Sequence, residues 1–133
     1  MKRLLRAAVI TVVSLLALAL LASGAYRLLP DDFRGRRMLD ALGEGHTTRA
    51  RLLIWLGTDA DFQTGGGSAM HYAASTGDIE LMKFLLRHGA SVDRPIKFGI
   101  TPLYEARTSR QAEAERFLLA HGANPDTSHI KVP

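Results

Sequence analysis

The sequence predicts an all-α fold: a solenoid of about three stacked helix–turn–helix units behind one N-terminal hydrophobic helix. Three observations predict it. The chain overlays on itself at an offset of 33 residues. Its best-formed segment carries an unbroken apolar surface with a single polar stripe at helical spacing. The first thirty residues differ in composition from everything after them. Of the 133 residues, 17 are Lys or Arg and 13 are Asp or Glu, a net charge of +4. Lys2, Arg3 and Arg6 supply much of that excess, and from Tyr26 onward 14 basic residues face 13 acidic ones. A basic surface shaped for nucleic acid is therefore not expected. The chain has no Cys, which excludes disulfides, thiolate metal sites and a cysteine nucleophile.

Residues 1–30 form the first unit. A basic start precedes the apolar or small run Ala7–Ala25, whose only hydroxyls are Thr11, Ser14 and Ser23. Nineteen residues just reach the length of a spanning helix. Ser23-Gly24-Ala25 would also serve as a signal-peptide cut site. Arg27 lies two residues past that cut and suits the flank of an anchor better. The preferred expectation is an uncleaved single-pass segment with the following domain outside the cytoplasm (periplasmic, in a bacterial setting). The alternative is a soluble secreted or periplasmic product cleaved near Ala25. Basic residues are nearly balanced across the run, so the orientation rests on the short charged N-terminus.

The remainder repeats. Ser68–Ala74 (SAMHYAA) lies over Thr101–Arg107 (TPLYEAR). Phe84–Asp93 (FLLRHGASVD) lies over Phe117–Asp126 (FLLAHGANPD) with seven identities in ten positions. A fainter copy sits 32 residues upstream, where Met38–Gly45 matches Met70–Gly77, and Gly57 and Asp61 hold the Gly and Asp positions. The one-residue difference falls in a Gly-rich turn, where a length change costs least. The expected units are 33–61, 62–93 and 94–126, followed by a tail at 127–133.

This period, with its TPLY, SAMH and LLxxGA strings, resembles the ankyrin repeat family over residues 33–126. Tyr104 stands where the family motif has His, and Ala69 where it has Pro. The resemblance implies that Ser68, His71, Ala73, Gly77, Gly89, Thr101, Pro102, Ala106 and Gly122 are structural motif positions. It also implies that His71 ties neighbouring loops together, and that the chain binds another protein without catalysis.

The residues justify the helices on their own account. Thr101 suits an N-cap and Pro102 the first helical position, where a missing N–H costs nothing. Asp78 suits the N-terminus of the next helix. Within 79–87, Glu80, Lys83 and Arg87 form one polar stripe, and every other position is apolar. So broad an apolar surface needs neighbours on two sides. The outer copies each lose part of it: Leu81 becomes Arg49, and Met82 becomes Ala50 upstream and Glu115 downstream. That pattern reads as caps closing both ends of a three-unit stack.

No chemistry-bearing constellation emerges. His88 and His121 precede glycines at helix ends, where an imidazole meets free carbonyls. Gly65–Ala69 lacks the order and the Lys of a phosphate loop. Asp59 and Asp61 lack the following Glu of a calcium loop. Trp55 is expected in the core. No triad or carboxylate pair is readable, so no cofactor, metal or small-molecule substrate is expected, and a His71-dependent enzyme is the least favoured reading. An inhibitor or immunity-type protein that occludes an extracytoplasmic enzyme or toxin is the main alternative to a general binding module. The expected partner surface comprises the hairpin tip Arg94, Lys97, Phe98 and Ile100, with Ser75, Thr76, Thr108 and Ser109 at the ends of the first helices. Phe98 would be an apolar anchor with charge at its rim.

Overall fold

The computed structural model describes residues 24–126 continuously, with Ser14, Leu15 and Ala19 as isolated positions before them. The apolar run 7–25 and the tail 127–133 thus lie almost wholly outside the described residues. Among the described residues, no helix is long and apolar enough to cross a membrane.

Six helices follow in pairs. The first pair is α1 (Asp31–Gly43) and α2 (Thr47–Trp55). A two-stranded hairpin, β1 (Gln63–Thr64) and β2 (Gly67–Ser68), leads into α3 (Ala69–Thr76) and α4 (Ile79–Arg87). The hairpin is antiparallel, pairing Gln63 with Ser68 and Thr64 with Gly67 around Gly65-Gly66. A short 3₁₀ turn, Lys97–Gly99, precedes α5 (Pro102–Thr108) and α6 (Ala112–Ala120). Ile96 N–H donates to the Ile100 carbonyl at 2.9 Å, closing that turn as a loop rather than a strand pair. The first helices stack as one row, α1–α3–α5, and the second helices as another, α2–α4–α6.

Local chemistry sets the helix starts. Thr101 Oγ1 accepts from Tyr104 N–H at 3.3 Å, with Pro102 opening α5. Asp78 Oδ1 accepts from Leu81 N–H at 2.8 Å and caps α4. Helix α1 has 13 residues against 8 in α3 and 7 in α5. Asp31 and Asp32 in its first turn favour this by opposing the helix dipole and pairing with Arg34 and Arg36. Gly35 on α1 permits close packing, because a Cβ there would lie 2.2 Å from the Phe62 ring.

The core runs continuously through the stack. Met38, Leu42, Met70, Leu81, Met82, Leu85, Leu103 and Leu118 are fully buried, with small alanines between them. The alanines of both HGA strings, Ala90 and Ala123, are buried as well. The end units differ from the middle one. Leu81 of α4 corresponds to exposed Arg49 on α2, and Met82 to Glu115 on α6. Glu115 accepts from Arg107 Nε at 2.8 Å, so an ion pair stands where the middle unit has a buried thioether. Trp55, expected in the core, is 70% exposed. The buried face of α2 is carried by Ala50 and Ile54, and Trp55 falls off that face by helical geometry.

The third unit carries a strained turn. Gly77 ends α3 in the left-handed region at φ 73°, and its counterpart between α5 and α6 is Arg110 at φ 58°. A side chain there costs about 1–2 kcal/mol. Arg110→Gly should therefore stabilise the protein by about 0.5–1 kcal/mol, after allowing for the added freedom of the unfolded chain. A urea midpoint that stays put or falls would show that Arg110 earns its strain through contacts of its side chain.

Candidate functional site

The rows of helices and the hairpin enclose a groove of about 330 Å³. Leu39 and Leu42 from α1 form one wall, and Thr64, Gly66 and Gly67 of the hairpin form the rim. Tyr72 and Ser75 from α3 and Glu105 from α5 complete it. Tyr72 and Glu105 are both half-buried and occupy the same repeat position, one aromatic and one acidic. The groove thus offers apolar surface beside a carboxylate, a composition suited to a peptide or protein surface.

His71 sits at the floor. It is buried, with Ser68 Oγ 2.9 Å from Nδ1 and the Ile100 carbonyl 3.1 Å from Nε2. A carbonyl only accepts, so Nε2 carries the proton and Nδ1 accepts from the Ser68 hydroxyl. Both ring nitrogens are engaged with protein groups. Burial pushes the His71 pKa down, against the opposing pull of the Ile100 hydrogen bond and the Glu105 and Asp61 charges. His88 and His121 repeat one arrangement. Each Nδ1 donates to a carbonyl one turn back at 2.8 Å, Phe84 and Phe117 respectively, and each ring stacks on that same Phe. Among the described residues, no three His, Asp or Glu gather as a metal set would require.

The expected contact residues separate into three groups. Ser75 lines the groove, while its hydroxyl donates to the Tyr72 carbonyl at 2.9 Å. Thr76 and Thr108 spend their hydroxyls the same way on carbonyls of their own helices, and Ser109 closes α5 at its C-terminus. Lys97 and Phe98 stand apart at the tip of the second loop. Phe98 is 46% exposed at φ 64°, with the Lys97 ammonium 4.7 Å from its ring centroid. Ile100 is half-buried and gives its carbonyl to His71. Arg94, expected as rim charge next to Phe98, is ion-paired with the preceding unit. Its Nη1 lies 2.6 Å from Asp61 Oδ2, and that carboxylate holds the guanidinium more firmly protonated.

Asp61 and Asp93 were legible only as repeated letters. In the structure Asp61 Oδ1 accepts from Ser91 N–H at 3.0 Å, and Asp93 Oδ2 accepts from Asn124 N–H at 3.2 Å. Each carboxylate pins the end of one unit to the end of the next. Their recurrence at 61, 93 and 126 was the available signal. Leu39, Tyr72 and Glu105 were missed because nothing local marks a residue as facing a groove.

Stacked helix pairs with projecting turns and an open groove define a repeat scaffold for macromolecular recognition. The chain belongs to the ankyrin repeat family: the family model "Ankyrin repeats (3 copies)" matches residues 38–129. It is 31% identical over 81 residues to the human ankyrin repeat and SOCS box protein 16, covering 61% of this chain and 18% of that one. It is 30% identical over 83 residues to the mouse 2-5A-dependent ribonuclease, covering 61% of this chain and 11% of that one. The chain thus spans less than a fifth of the length of either relative. Ankyrin repeats are in general protein–protein interaction modules.

Proposed function

We propose that the chain is a non-catalytic binding module held at a membrane by residues 7–25, with its repeats on the extracytoplasmic side, and that it takes a protein partner in the groove between Leu39, Tyr72 and Glu105. The groove carries this reading. Its lining side chains stand on packed helices, so little ordering entropy is lost when a partner arrives. Phe98 and Lys97 at the second loop tip extend the surface beyond the groove. The exposed Lys83 and Arg87 of α4 are not among the residues lining the groove and are left out of the contact.

Photo-crosslinking in the native cell tests it, with the probe placed at Tyr72, at Phe98 or at Lys83. One common partner is expected from the first two positions and none from the third. Glu105→Lys should abolish the Tyr72 crosslink while the circular dichroism spectrum and melting temperature stay unchanged. Equal crosslinking from Lys83, or an intact Tyr72 crosslink in the Glu105→Lys protein, would displace the groove as the site. Intact mass of the membrane fraction checks the anchor, since a soluble product beginning at Tyr26 would replace it with a cleaved, exported form.

A further inference from the structure

The first helix pair leaves an apolar surface uncovered. Leu52 and Trp55 lie three residues apart on the side of α2 away from Ala50 and Ile54, and are 53% and 70% exposed. Just upstream, Leu28 is 87% exposed. The residues just before Leu28 are bonded at the end of α2, which Trp55 closes. Tyr26 Oη is 2.7 Å from Thr58 Oγ1, and Arg27 Nε lies 3.4 Å from the Leu56 carbonyl. Tyr26 and Arg27, the first residues after the apolar run 7–25 in the sequence, are thus tied to the chain at the C-terminal end of α2.

Charge marks the same end. Residues 27–55 carry six basic side chains against four acidic ones, whereas 56–126 carry seven against nine. Arg37 stacks over Phe33 at 5.5 Å. Arg36 and Arg49 pair with Asp32 and Glu44 at exposed positions, where such pairs are weak and exchange readily for other anions. Exposed leucines and an indole in the same unit as an excess of arginines are the composition that settles at the headgroup level of a bilayer.

We infer that Leu28, Leu52 and Trp55, with Arg27, Arg36 and Arg37, form a membrane-facing foot that seats the stack in the headgroup layer where residue 26 emerges. This rests on the reading of residues 7–25 as an uncleaved membrane segment. The occupant is the lipid surface. A partner protein would need no continuity with the apolar run, and the positive balance favours anionic phosphates. The stack would then stand at a set angle to the bilayer instead of swinging on a tether.

Trp55 is the only tryptophan, so the 133-residue chain reports on itself. The protein is reconstituted into vesicles of phosphatidylcholine and phosphatidylglycerol, with and without lipid brominated high on the acyl chain. Carbonate extraction reports insertion of residues 7–25 separately. The expected result is an unextractable protein whose Trp55 emission shifts to the blue, resists acrylamide and loses most of its intensity to brominated lipid. An Arg36→Glu/Arg37→Glu protein should keep its circular dichroism spectrum and lose part of that quenching. An unextractable protein with acrylamide-accessible, unquenched Trp55 would overturn the foot and leave the anchor standing. A blue shift without bromolipid quenching would mean that protein covers Trp55, and would overturn it too. A carbonate-extracted protein would overturn the anchor and the foot together.

Discussion

Leu81→Ala is expected to destabilise the whole stack as one unit, not loosen one helix. Leu81 is fully buried on α4, the helix that touches both α2 and α6. Its counterparts are Arg49 and Ala114, so the middle unit alone supplies a large apolar side chain at this position. Truncating a buried leucine costs about 2–5 kcal/mol through lost burial and the cavity left behind. That is a large share of the roughly 5–15 kcal/mol that stabilises a typical domain. The end units cannot compensate, because a single repeat does not bury its own apolar face. Urea unfolding followed by circular dichroism should show a lower midpoint, and hydrogen exchange should show α1 and α6 losing protection together. Protection retained in either end helix would mean that the units fold independently.

His71→Ala should cost less, about 1–3 kcal/mol, because it strands a partly buried carbonyl at Ile100 and a buried hydroxyl at Ser68. The imidazole joins the start of the second unit to the loop that opens the third. Its counterparts are Leu39 and Tyr104, so the bridge occurs at this junction only among these three positions. The sign of the pH effect follows from the depressed pKa. Below its ordinary value of about 6.5 the unfolded chain takes up a proton that the folded chain resists. Stability should therefore fall as the pH drops from about 7 toward the folded pKa, across the range where histidine titrates. Comparing melting temperatures of wild type and His71→Gln across that range isolates the contribution. A wild-type slope no steeper than the variant's would remove His71 as its source.

These two positions mark how far the sequence reads. His71 lies inside a recurring string, and its bond to a neighbouring loop follows from the repeat that string implies. Leu81 lies in a helix whose single polar stripe already demands neighbours on both sides. Trp55 was misjudged because hydrophobicity alone says nothing of which side of a terminal helix has a neighbour. The pairing of Arg94 with Asp61 is not legible in the sequence, since the two lie 33 residues apart.

The sequence by itself determined the repeat register, the helix starts at Asp78 and Thr101, the apolar face of α4 and the loss of that face in the outer units. All of these are local or periodic, set by caps and by side-chain spacing within one helix. Only the tertiary structure decided that Leu39, Tyr72 and Glu105 share a groove, that Asp61 and Asp93 pin successive units, and that Tyr26 and Arg27 bind the end of α2. Those contacts join residues about thirty positions apart, and their geometry exists only once the helices have packed.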